Sequence, residues 1–104
     1  MNRWSGIGRF GKDPELAKTS TGKSVCNFSL AVEHGYQNES ETYWIDFVAW
    51  GSTAEFISKY FTKGDAIYVD GELQATIYEG KDGKKHKDYK IAVEKAEFLQ
   101  GGKQ

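Results

Sequence analysis

Residues 43–50 read YWIDFVAW, and this stretch decides how the chain folds. Aromatic and β-branched residues dominate it, as they do in strands. A period of two places Tyr43, Ile45, Phe47 and Ala49 on one face, all suited to a core, and Trp44, Asp46, Val48 and Trp50 on the other. An unpaired carboxylate is almost never fully buried, so the second face is expected at a surface or a subunit contact. Indole rings there offer flat platforms on which bases stack, at about 1–3 kcal/mol per base. The competing reading packs Trp50 under a helix and buries Trp44 in a dimer interface.

The flanking sequence supplies the other elements. KSVCNFSLAV (23–32) alternates Cys26, Phe28, Leu30 and Val32 with polar Asn27 and Ser29, the pattern of a half-buried strand. AIYVDGEL (66–73) and YKIAVEKAEFL (89–99) read as two more, the latter with a break near Glu94 that suggests a bulge or bend. NRWSGIGRF at the start reads as a strand weakened or bent by Gly6 and Gly8. DPELAK (13–18) is expected to make a single turn at most. A helix follows YWIDFVAW: Ser52 or Thr53 can cap it, Glu55 stands at capping-box spacing from Ser52, and Ala54, Ile57 and Phe61 form its apolar stripe. Lys63-Gly64 is expected to end it. Thr21-Gly22 and Asp82-Gly83 mark hairpin turns. Five strands with one helix between the third and fourth, in 104 residues, predict a single all-β domain over 1–104. The layout is that of a five-stranded Greek-key barrel of the OB-fold type.

Composition narrows the function. The net charge of −1 gives no overall basic character, but the charge is zoned. Residues 1–32 carry five basic groups against two acidic, residues 33–46 carry four acidic groups and no Lys or Arg, and residues 73–90 carry five lysines against three acids. Such zoning permits a basic path across the surface. The one cysteine, Cys26, forms no internal disulfide and alternates with core residues, so a buried thiol is expected. No leader-like apolar segment opens the chain and no run approaches a membrane span. A cytoplasmic protein with no membrane partner is therefore expected.

Catalytic signals are thin. Gly6-Ile7-Gly8-Arg9-Phe10-Gly11 spells G-x-G-x-x-G, but a dinucleotide site needs a full strand before the first glycine and a helix opening at the motif. Five residues precede Gly6, and Asp13-Pro14 follows the motif at once. His34 and His86 stand 52 residues apart in polar segments without metal-ligand spacing. No serine or threonine sits in a nucleophile elbow. No catalytic residue, metal or cofactor is expected, and the chain is not read as an enzyme.

The lysine-rich GKDGKKHK (80–87) decides between the two readings of the tryptophans. In an OB barrel the loop between the fourth and fifth strands flanks the binding cleft, and this segment falls there. Tyr78 just before it, and Tyr36 in the 33–42 loop, extend a stacking path. The pattern points to single-stranded nucleic acid.

On these residues the chain resembles the bacterial single-stranded DNA-binding proteins, also found in phages and prophages. The stretches that carry the resemblance are GRFGKDPEL (8–16), VCNFSLAV (25–32), WIDFVAWG followed by AE (44–55), KYFTKGDAIYVDGEL (59–73) and YEGKDGKK (78–85). The resemblance implies an OB-fold that assembles as a homotetramer, with a dimer as the alternative, and binds single-stranded DNA without sequence preference. It puts the base-stacking aromatics on Trp44, Trp50 and Tyr78, with Tyr36 a looser match. Phosphate contacts are expected from Arg3, Arg9, Lys63, Lys84, Lys85 and Lys87. Tryptophan is common in the family where this chain has Tyr36 and Tyr78, which implies weaker stacking there. Asp46, Gln74 and Thr76 stand where basic residues are common, which implies a shallower salt dependence. Trp4-Ser5-Gly6 replaces the apolar run through which the family pairs its subunits. The family's acidic tail has no counterpart in the closing FLQGGKQ, so docking of replication and repair enzymes through a tail is not expected. Two rivals remain at this stage: a primosomal-type adaptor of the same fold with weak DNA binding, and an OB-type RNA binder.

Overall fold

The computed structural model describes residues 1–34 and 41–99. Its elements in chain order are β1 (Trp4–Phe10), β2 (Glu15–Lys18), β3 (Ser24–His34), β4 (Glu41–Trp50), α1 (Gly51–Tyr60), β5 (Ala66–Glu79) and β6 (Lys85–Glu97). Five of the strands close into a ring. β1 pairs with β5, β5 with β6, β6 with β4, β4 with β3, and β3 returns to β1 at Leu30 and Ala31. All pairings are antiparallel except β4–β6, which meet in parallel at Phe47–Ile91 and Val48–Ala92. This is the expected five-stranded OB-fold barrel, with the helix after its third strand.

The ring closes because alternate residues of every strand share one interior. Phe10, Cys26, Phe28, Leu30, Phe47, Ala49, Ile67, Val69 and Ile91 are buried there, each large side chain contributing about 1.5–3 kcal/mol. The Phe28 and Phe47 rings stack with centroids 5.3 Å apart. Trp4 turns inward and meets Phe47 edge-on at 5.2 Å, so its indole helps cover the core. α1 plugs the barrel with the predicted stripe, Ala54, Ile57 and Phe61 being buried.

Several local expectations are corrected. Glu15–Lys18 is a strand, β2, and not a turn: the Thr19–Lys23 turn folds it back onto Ser24–Asn27 of β3. Glu55 makes no capping box. Trp50 occupies the N-cap without a side-chain bond, and the Glu55 carboxylate accepts from the Ser24 hydroxyl at 2.8 Å, tying helix to sheet. The helix ends at Tyr60, before Lys63-Gly64, and Gly64 instead takes a positive φ in the following turn.

The break near Glu94 is real. Asp70 faces Lys95 while the next residue, Gly71, faces Val93, leaving Glu94 unpaired as a bulge. The glycine is required there, because a Cβ at position 71 would run into the Ala92 carbonyl. Gly6 and Gly8 lie inside β1 and no helix opens at Gly11, so the G-x-G-x-x-G coincidence has neither of the elements a dinucleotide needs. Among the described residues, no helix is long and apolar enough to cross a membrane.

Candidate nucleic-acid interface

β4 carries the exposed aromatics. Trp44 is 61% and Trp50 44% exposed, both on the outer face of the barrel's second and third strands. They lie six residues apart on one strand, about 20 Å. Asp46 stands between them, exposed, and accepts from the Ser29 hydroxyl at 2.7 Å. The expected alternation holds for these three residues and fails at two others. Val48 is buried, a short side chain flanked by its register partners Asn27 and Ala92. Tyr43 is exposed, because it and its partner Val32 lie beyond the last pairing of β3 with β1.

Each tryptophan has a built setting. Ala31 pairs with both Arg9 and Trp44, so the three form one cross-strand row pointing the same way. The outer edge of the Trp44 indole lies against Gly11: a Cβ there would come within 2.6 Å of its ring. Only glycine at 11 leaves room for that placement. The Arg9 guanidinium donates to the Gly64 carbonyl at 3.0 Å, and the Lys63 amide donates to the Asp13 carboxylate at 2.7 Å. These bonds fold the 61–65 turn against the 10–13 segment, so Arg9, Lys12 and Lys63 gather at the Trp44 end. At the other end the Lys23 ammonium lies 5.1 Å from the centre of the Trp50 ring, a cation–π distance.

On the β5–β6 arm, Lys85 and Lys87 belong to β6 and flank the turn at 80–84. That turn is held by the Lys84 amide donating to Asp82 at 2.9 Å. That bond, and a weaker one from His86, hold the Asp82 carboxyl below its ordinary range. Tyr78 is exposed and stacks on its partner His86 at 5.5 Å. Lys85 pairs with Glu79 and Lys87 with Ile77, so both point to the opposite side of the arm from Tyr78. The residue that shares the lysine face is Tyr89, paired with Ala75 and 55% exposed. Lys84 is in the turn itself.

Arg3 lies beside β5. It ion-pairs with Asp70, which is 5% exposed and also accepts from Ser5; this pairing raises the Arg3 pKa. Tyr36 falls outside the described residues. Lys12, Lys23 and Tyr89 are candidates for this surface that sequence reasoning missed: Lys23 and Tyr89 are placed by cross-strand register, and Lys12 by the contact of the 10–13 segment with the 61–65 turn. Among the described residues, no group of His, Cys, Asp and Glu side chains is arranged to hold a metal.

An exposed aromatic row on the outer second and third strands of an OB barrel, flanked by cations, is a surface such barrels use for oligonucleotides. Comparison with known proteins agrees: the model of the Single-strand binding protein family matches residues 1–99. The chain belongs to the single-strand binding protein family. That family is one of binding proteins and not of enzymes. Single-stranded DNA-binding protein 2 of Clostridium acetobutylicum is 39% identical over 99% of this chain and 80% of its own length. The single-stranded DNA-binding protein of Bacillus cereus is 40% identical over 100% of this chain, which spans 65% of that relative. Single-stranded DNA-binding protein 3 of Listeria innocua is 40% identical over 96% of this chain, which spans 64% of that relative.

Proposed function

We propose that this protein binds and protects single-stranded DNA without sequence preference, in the cytoplasm, during replication, recombination and repair. The observation that carries the reading is the row of two exposed indoles on β4, with Arg9, Lys12 and Lys63 at one end and Lys23 at the other. Bases stack on Trp44 and Trp50 while the cations follow the phosphates. Tyr78 and Tyr36 extend the stacking path, and Lys84, Lys85 and Lys87 on the arm, with Arg3 more distantly, supply further phosphate contacts. Assembly into a homotetramer, or a dimer, would place several such faces on one strand.

Competition binding tests the proposal. A labelled thymine oligonucleotide should be displaced by unlabelled single-stranded DNA and not by the matched duplex. Each phosphate contact contributes about −0.7 to the slope of log affinity against log salt. Contacts from Arg9, Lys12, Lys23 and Lys63 alone therefore predict a slope of about −3, and each further contact from the arm or Arg3 steepens it by about 0.7. Equal displacement by duplex, or a slope near zero, would contradict it and favour the adaptor reading. Tighter displacement by matched RNA would favour the RNA binder.

A further inference from the structure

We infer that Lys90 is a phosphate-binding residue of this surface, holding the part of the strand that links the two indoles. The inference rests on the single-strand reading above and deepens it. Trp44 and Trp50 stand about 20 Å apart on β4, whereas consecutive bases in a stacked strand rise only about 3.4 Å. An extended nucleotide step, though longer, still falls well short of the gap. The bases on the two indoles are therefore not neighbours, and linking phosphates cross the middle of the face. Asp46 stands there, exposed, and a carboxylate repels phosphate. A cation close by is needed to hold the link, and β4 itself, Glu41–Trp50, contains no Lys or Arg.

The next strand supplies one. β6 runs parallel to β4, with Phe47 beside Ile91 and Val48 beside Ala92. One residue before these pairs come Asp46 and Lys90, and alternation puts both on the outer face with Val48 and Ala92. The pairing of the two strands stops there. A cleft of about 420 Å³ opens at that point, with Lys12, Ser29, Asp46, Asp88 and Lys90 in its lining.

Asp46 leaves Lys90 unpaired. The Asp46 Oδ1 accepts from the Ser29 hydroxyl at 2.7 Å, and Ser29 belongs to β3, on the opposite side of β4 from β6. The carboxylate is thus tied toward β3. Lys90 is half-buried, yet its ammonium makes no hydrogen bond or ion pair with any described residue, Asp88 included. A free ammonium on the outer face, level with the middle of the two stacking platforms, is placed to take a phosphate oxygen. Lysine suits the role as a compact charge on a flexible stem. The link then crosses β4 on its β6 side, over Lys90, with the Asp46 carboxylate drawn away from it.

Lys90→Gln keeps most of the stem and removes the charge. Titration with a labelled thymine oligonucleotide over a range of salt should give a slope shallower by about 0.7. Affinity at ~0.1 M salt should fall about fivefold, which is that slope change taken over the decade to 1 M. Lys90→Arg should keep the parent slope. Lys95→Gln makes the same change in net charge at an exposed lysine paired with Glu97, and should leave the slope unchanged. The decisive variant is Lys90→Gln combined with Asp46→Asn, compared with Asp46→Asn alone. A cation that contacts phosphate still costs about 0.7 of slope when removed there; one that merely offsets the carboxylate costs nothing. An unchanged slope in Lys90→Gln, an equal loss in Lys95→Gln, or a loss that vanishes with Asp46→Asn would overturn the inference alone. Failure of the parent to bind the oligonucleotide would overturn the single-strand reading and this inference with it.

Discussion

Replacing Gly11 by alanine separates the binding surface from the fold. The added Cβ would lie 2.6 Å from Cζ3 and 2.8 Å from Cη2 of Trp44. Carbon atoms in contact prefer about 3.5–4.0 Å, so the indole must move by roughly 1 Å or more. The atoms met are the far edge of one exposed side chain, and Gly11 has no positive φ to violate. The backbone therefore tolerates the change. Alanine also lowers the entropy of the unfolded chain, a gain of about 0.4–1 kcal/mol. Stability in urea, followed by circular dichroism, should stay level or rise by less than about 1 kcal/mol. Stacking at Trp44 should suffer, because the ring leaves its seat beside Arg9 and Ala31. Of the ~1–3 kcal/mol a stacked base is worth, the low end is expected to be lost, about a fivefold weaker affinity by fluorescence anisotropy. Trp44→Ala should lose as much or more. If Gly11→Ala binds as tightly as the parent while Trp44→Ala does not, the seat at Gly11 does not position the indole. If affinity falls only in step with stability, the surface and the fold are not separable.

Other outcomes follow from the same geometry. Lys23→Ala removes the cation over Trp50 and should weaken binding by roughly two- to fivefold; a salt titration should show the slope shallower by up to about 0.7. Gly71→Ala drives a Cβ into the Ala92 carbonyl at the bulge, where neither strand yields without losing register. The cost should be about 1–3 kcal/mol in urea unfolding, with no effect if the bulge is misplaced. Cys26 is fully buried and its pKa is raised by burial, so it stays protonated at neutral pH. It should resist thiol reagents until the protein unfolds, and rapid labelling of the native protein would contradict its position.

Much of this was legible in the sequence, for a physical reason. Period-two alternation in YWIDFVAW and KSVCNFSLAV follows from burial on one side, so the core face and the indole face both showed. Asp46 marked the outer face because a lone carboxylate there would be costly to bury. Val48 escaped the rule, since its short side chain is covered by neighbours from two other strands. β2 escaped because Glu15–Lys18 has no alternation of its own and is fully exposed; its pairing with β3 makes it a strand. Glu55 had the spacing of a cap and found Ser24 instead, a partner 31 residues away. The missed site residues share one cause. Lys12 reaches the platform through the turn bonded to 61–65, Lys23 through the register of Val25 with Trp50, and Tyr89 through its pairing with Ala75. The sequence shows each of them as an ordinary exposed residue.

Tryptophan emission during titration with a thymine oligonucleotide tests the central claim most directly. Two of the three tryptophans face outward on β4, while Trp4 packs on Phe47 in the barrel. A variant keeping only Trp44 and Trp50, with Trp4→Phe, should be strongly quenched by the single strand, recover in high salt, and ignore duplex DNA. Unchanged emission, with the strand either unbound or bound elsewhere, would mean that the indole face of β4 does not carry DNA.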